Sequence, residues 1–152
     1  MQGSVAVTSR DLLRMSRKQL DDLFRRSAAG SIPSGDTLGT ALALPGTPVA
    51  RVMATLVRLL GWQGKVFDAR QGMLLNKVTP FGLRGFKARV YKAPSRFDGG
   101  EAIVLDYSRA NFLTRRITDE IREVAPGTYL GQVYWGRTWL VHFALDVPVA
   151  RG

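Results

Sequence analysis

Asp106 and Asp119 have the strongest claim to chemistry in this sequence. Ala102, Val104 and Asp106 fall on one face of a strand read over 101–107. Ile117, Asp119 and Ile121 share a face if 117–124 is extended. A carboxyl held among apolar side chains resists ionisation, so its pKa rises toward neutrality and it can carry protons. The plainer reading of both is a buried carboxylate paired with an arginine, for which Arg89, Arg115, Arg116 and Arg122 are the candidates. His142 is the sole histidine. With no cysteine and no second histidine a zinc site is not expected, and haem ligation by a lone histidine is disfavoured. Alternation puts Val141, Phe143 and Leu145 on one face and His142 on the other with Leu140 and Ala144, which suits a structural or surface histidine better than a general base.

The remaining polar and aromatic side chains suit a pocket. Lys65 begins a strand after Trp62-Gln63-Gly64 and points either into a cavity or out to water, while Trp62 reads as a corner-forming plug. Tyr91, Tyr107, Tyr129, Tyr134, Trp135 and Trp139 are concentrated in strand candidates. Such residues fill a small barrel or line a pocket with polar tips. No serine sits in a Gly-x-Ser-x-Gly elbow, and neither Walker-type nor dinucleotide-type glycine spacing occurs. No cofactor and no metal are expected.

Those residues need elements to hold them. The first 34 residues read as a helical segment. Thr8 or Ser9 caps a short turn, and Ser16 with Gln19 forms a capping box ahead of the stripe Leu20, Leu23 and Phe24. A strand is read over 37–44, stopped by Pro45-Gly46. Thr47 and Pro48 then start an amphipathic helix over 48–60 that Gly61 ends. After Gly61 the period becomes alternating, with strands at 64–67, 73–78, 86–92, 101–107, 128–135 and 138–146. Phe97-Asp98-Gly99-Gly100 marks a hairpin tip, and Gly136-Arg137 is a two-residue link. The stretch 117–124 fits either helical spacing or a strand, and the strand reading aims Asp119 where Ile117 and Ile121 point.

Regular short strands without β-α-β alternation argue for an antiparallel barrel or sandwich. The expected fold is mainly β: a lipocalin-like antiparallel barrel over 35–147, with N-terminal helices and the 48–60 helix closing it, as a single domain. At 152 residues, with 45% apolar and 22% charged side chains, the chain is long enough for one core. The formal charge of +10 favours anionic partners without choosing among them. No apolar run reaches the length of a spanning helix, and the opening residues are too short and weakly apolar a run to be expected to serve as a signal-peptide core. Lack of cysteine fits the cytoplasm.

Three motifs in order carry a resemblance: Gly35-Asp36-Thr37-Leu38-Gly39, then Trp62-Gln63-Gly64-Lys65-Val66-Phe67, then Ala102 to Tyr107 followed by Tyr129-Leu130-Gly131 and an aromatic hairpin. Together they resemble the GXWXG-type family of uncharacterised lipocalin-like domains over about 35–145. The second motif matches throughout. In the first, Thr37 stands where that family has tryptophan, and the Asp-Tyr pair at 106–107 is reversed. The resemblance implies a fold more than an activity.

The leading functional expectation is binding of a hydrophobic or amphipathic small molecule (lipid, isoprenoid or polyketide-like) in a barrel cavity. Trp62, Lys65, Tyr91, Tyr107, Tyr129, Tyr134, Trp139 and His142 would line it. The alternative is a cofactor-independent isomerase, cyclase or hydratase on the same barrel, with Asp119 or Asp106 as acid/base. A third is a basic adaptor for nucleic acid or acidic lipid. Lys87, Arg89, Tyr91 and Lys92 match a nucleic-acid-binding strand only in part, so nucleic acid is disfavoured, and peripheral contact with an acidic membrane stays open.

Overall fold

The computed structural model describes residues 7–42, 62–78, 83–109 and 115–148. Two short helices open the chain, α1 (Ser9–Leu13) and α2 (Arg17–Arg26). Each starts at a reciprocal capping box, Thr8 with Asp11 and Ser16 with Gln19, so two otherwise orphaned N–H groups are satisfied at each N-terminus. Leu20, Leu23 and Phe24 are buried, as the stripe requires.

Nine strands follow among the described residues: β1 (Gly35–Asp36), β2 (Leu38–Leu42), β3 (Trp62–Asp68), β4 (Met73–Val78), β5 (Leu83–Pro94), β6 (Glu101–Asp106), β7 (Ile117–Ala125), β8 (Thr128–Trp135) and β9 (Thr138–Asp146). All pairings are antiparallel, in the order β1-β3-β4-β5-β6-β7-β8-β9-β2. The sheet's two edges, β1 and β2, are consecutive in the chain with only Thr37 between them. That segment pairs with β3 on one side and β9 on the other, and the sheet curls into a nearly closed barrel.

The closure depends on a close approach at Gly64, whose φ is +139°. A Cβ there would lie 2.2 Å from the Thr37 carbonyl oxygen, so a side chain would push the closing segment off β3. At the far hairpin, Gly136 takes φ +59° and joins β8 to β9 through the expected two-residue link. The strands at 73–78, 128–135 and 138–146 have their expected limits. The stretch 117–124 is strand, part of β7. The helix read over 48–60 lies outside the described residues.

Register sorts the side chains into two layers. Phe67, Leu74, Ala88, Val90, Ile103, Leu105, Ile121, Tyr129, Phe143 and Leu145 form the barrel interior. Each large aliphatic side chain fully buried there contributes about 1.5–3 kcal/mol. The loop after α2 closes one end: Ala29 and Ile32 join this cluster, and the Tyr129 hydroxyl donates to the Ser31 carbonyl. The outer face of β6, β8, β9 and β2 is also buried, because Leu12, Leu20, Leu23 and Phe24 of the two helices pack on Ala102, Leu130, Ala144 and Leu42. Arg122 reinforces that layer. Its guanidinium donates to the Phe24 carbonyl at 2.7 Å and holds Asp98 of the β5–β6 turn in a fork at 2.6 and 2.7 Å.

Candidate functional site

Among the described residues, three that the sequence nominated meet against the apolar cluster of the barrel interior. Asp119 sits two residues into β7, cross-strand from Leu105 of β6 and Val133 of β8, and so shares the inner face with Ile121. Lys65 of β3 reaches the same point. Its Nζ lies 3.3 Å from Asp119 Oδ2, and each side chain is 5% exposed. Tyr107, one residue past the end of β6, completes the group: its hydroxyl accepts a short hydrogen bond from Lys65 Nζ, and it is also hydrogen-bonded with Asp119. The ammonium lies 5.1 Å from the centre of the Tyr107 ring and 5.5 Å from that of Phe143, adding cation–π attraction to the ion pair. The expectation of an arginine partner for Asp119 is corrected here: the counter-charge is Lys65, which the curl of the sheet brings to β7.

Thr37 makes this arrangement rigid. It is fully buried. Its N–H and hydroxyl both donate to the Lys65 carbonyl, at 3.0 and 2.6 Å, and its Oγ1 accepts from the Lys65 N–H at 3.0 Å. The backbone of the buried lysine is thereby held on both polar groups. From the sequence, Thr37 stands as the first residue of the strand read over 37–44 and as a departure from a motif, with no role at a site. Its position between Asp36 and Leu38, flanked by Gly35 and Gly39, was the available signal.

Burial raises the Asp119 pKa, an effect that the Lys65 charge and the hydrogen bonds from Lys65 and Tyr107 only partly offset. Burial also works against the Lys65 charge, but Tyr107 and Asp119 outweigh it and hold the ammonium above its ordinary value. The lysine is therefore a fixed cation rather than a nucleophile. Of the two, the carboxyl is the group whose charged form burial disfavours. Asp119 Oδ2 is committed to Lys65, whereas Oδ1 is buried with no hydrogen-bond partner among the described residues.

Other nominated residues lie elsewhere. Tyr129 is interior but at the closed end, its pKa pushed up to about 12 by burial and by Glu123. Asp106 and Tyr91 face outward from the barrel, and the Tyr91 hydroxyl donates to Asp106 Oδ2 at 3.1 Å. Burial acts to raise the Asp106 pKa, but hydrogen bonds from Ser108 and Tyr91 hold it below the usual carboxylate value. Tyr134, Trp139 and His142 are also on the outer face, near α2. His142 is buried, with Nε2 3.0 Å from Asp21 Oδ1. Trp139 stacks under the Arg17 guanidinium at 3.8 Å. Tyr134 is pushed up to about 12 by burial, with Glu120 and Asp21 adding to it. His142 and Trp139 fasten α2 to the barrel, while the Tyr134 hydroxyl donates to Gln132 Oε1 at 3.4 Å. The Trp62 side chain lies outside the described residues. Among the described residues no group of three metal-ligating side chains comes together, and no described helix is long and apolar enough to cross a membrane.

No family model matches the chain, and no curated protein matches it. A solved structure described as a protein from Thermomonospora curvata is similar in fold, with a TM-score of 0.60 over 89% of each chain and 19% identity. That similarity supports the barrel, an architecture compatible with ligand binding, and stops at the fold.

Proposed function

We propose that the barrel binds a hydrophobic or amphipathic small molecule of lipid, isoprenoid or polyketide type, whose polar end is read by Asp119 and Tyr107 beside Lys65. The observation that carries this reading is Asp119 Oδ1, a buried acceptor without a donor among the described residues, set beside the apolar cluster of the barrel interior. An unsatisfied buried acceptor costs about 1–3 kcal/mol, and a ligand hydroxyl or N–H placed there recovers it. Apolar walls supply affinity at about 25 cal/mol per Å² removed from water. The family resemblance belongs to the same proposal, since its Trp62–Phe67 motif contains Lys65.

The test is native mass spectrometry of protein purified from its own host, followed by thermal-shift screening of hydrophobic alcohols, acids and ketones. A co-purifying apolar species, or stabilisation of about 2.7 kcal/mol at a hundredfold excess over Kd, supports the reading. Absence of any bound species and of any shift across such a pool ends it.

One observation favours a second reading. The raised Asp119 pKa beside a phenol and a fixed cation suits cofactor-independent proton transfer, as in an isomerase, cyclase or hydratase. In that case Asp119→Asn abolishes turnover of an identified ligand and leaves its binding intact. Unchanged turnover removes Asp119 from catalysis.

A further inference from the structure

A cleft of about 360 Å³ opens on the outside of the barrel, lined by outward-facing residues of β5, β6 and β7 and of the loops beside them. It is separate from the interior group, because Val104, Asp106, Thr118 and Glu120 alternate with the inward-facing Leu105, Asp119 and Ile121. Three kinds of chemistry meet in it. Its cationic wall holds Arg96, Arg115 and Arg116. Arg96 is tied to the Gly136 carbonyl at 3.0 Å, whereas the Arg116 guanidinium has no partner among the described residues. Its aromatic wall is Tyr91, 37% exposed. That ring is held by its hydroxyl on Asp106 and by Arg89, whose guanidinium carbon lies 5.8 Å from the ring centre. Its acceptor wall holds two carboxylates: Asp106, kept ionised by Ser108 and Tyr91, and Glu120, whose oxygens already accept from the Ser95 hydroxyl and the Arg96 N–H.

We infer that this cleft is a binding site for a nucleoside phosphate, either free or at the end of a single strand. The phosphate meets the arginine wall, where a guanidinium fork offers paired donors. The base lies against Tyr91, which is already immobilised and loses little entropy on binding. The Asp106 carboxylate repels a bare anion and instead takes donors, namely ribose hydroxyls or a base amino group. A patch that selected for negative charge alone would not line the same cleft with carboxylates, one of them hydrogen-bonded to its aromatic ring. The volume falls near the lower end of the about 300–1,000 Å³ of small-molecule pockets, suited to one nucleotide and too small for a duplex. The excess of 22 Lys and Arg over 12 Asp and Glu draws such a ligand in from solution.

The test is calorimetric titration of the full chain with adenosine monophosphate at low salt. Inorganic phosphate, adenosine and a 5′-phosphorylated tetranucleotide serve as further probes. Saturable binding is expected for the monophosphate. Arg116→Ala and Tyr91→Ala should each weaken it by about tenfold. Arg10→Ala, which removes one exposed charge from α1, should leave it within about twofold, correcting for net charge. Circular dichroism and thermal melting verify that the variants fold. A tetranucleotide that binds about tenfold tighter than the monophosphate identifies a strand end as the natural source, and equal affinity identifies the free nucleotide. Four results overturn the inference: no saturable binding, equal loss in Arg116→Ala and Arg10→Ala, inorganic phosphate as tight as the monophosphate, or adenosine as tight as the monophosphate.

Discussion

Replacing Lys65 with methionine keeps an unbranched chain in the barrel and removes the ammonium, leaving Asp119 buried without its counter-charge. The pair is 3.3 Å apart with 5% of each side chain exposed. At an effective dielectric constant of about 20, the lost attraction is about 5 kcal/mol. The carboxyl has a cheaper escape, since it can take up a proton. Holding it neutral at about pH 7, roughly three units above its ordinary 3.8, costs about 4 kcal/mol at 1.36 kcal/mol per unit. The smaller number wins, so Lys65→Met is expected to lose at most about 4 kcal/mol at neutral pH. At about pH 4 the unfolded chain is already near half-protonated at this residue, and the penalty falls to about 0.6 kcal/mol. The sign follows from a raised folded-state pKa: the neutral carboxyl contributes fully below the unfolded value, and that contribution is lost as pH rises through the folded one. Urea unfolding of the wild type and the variant at both pH values measures the difference. Adding Asp119→Asn to Lys65→Met removes the charge that must be neutralised. It should recover about 2–3 kcal/mol at neutral pH and abolish the part of the pH dependence that Lys65→Met adds over the wild type. An equal penalty for Lys65→Met at both pH values, or a double variant no more stable than the single one, would refute the buried ion pair.

Arg122→Met should cost about 3–5 kcal/mol, because it releases Asp98, two carbonyls and the face of Phe24 together; faster amide exchange in α2 would locate the damage. Asp98, whose pKa is lowered chiefly by its hydrogen bonds to Arg122, adds stability above its unfolded value of 3.8 that is lost as pH falls through its folded value, so Asp98→Asn should flatten the acid limb of the unfolding curve. His142 acts in the same direction at milder pH. Burial lowers its pKa below 6.5 despite Asp21, so its contribution is present above that value and declines under acid; His142→Gln should remove this part of the profile, read by urea melts from about pH 7 to pH 5. Gly131→Ala should destabilise by about 1–3 kcal/mol, since its Cβ would stand 2.2 Å from the Phe143 ring, and Phe143→Leu in the same chain should restore part of the loss.

Much of the fold is legible residue by residue, because its signals are local. Both capping boxes lie within a single helical turn. The limits of β8 and β9 follow from alternation and from Gly136 at the link between them. Alternation also paired Asp119 with Ile117 and Ile121, and Asp106 with Ala102 and Val104. It could not say which of two faces is the inside. The reason is physical: α1 and α2 bury the outer face of β6, β8, β9 and β2, so Ala102, Leu130 and Ala144 are as hidden as Leu105, Gly131 and Phe143. With both faces buried, hydrophobicity carries no sign, and only register through the closed sheet assigns one. That register sent Asp106 and Tyr91 to an outer cleft and His142 to a helix contact. It also carried Lys65 around the barrel to Asp119, a partnership between distant residues on strands that never pair, made by closure at Thr37 and Gly64.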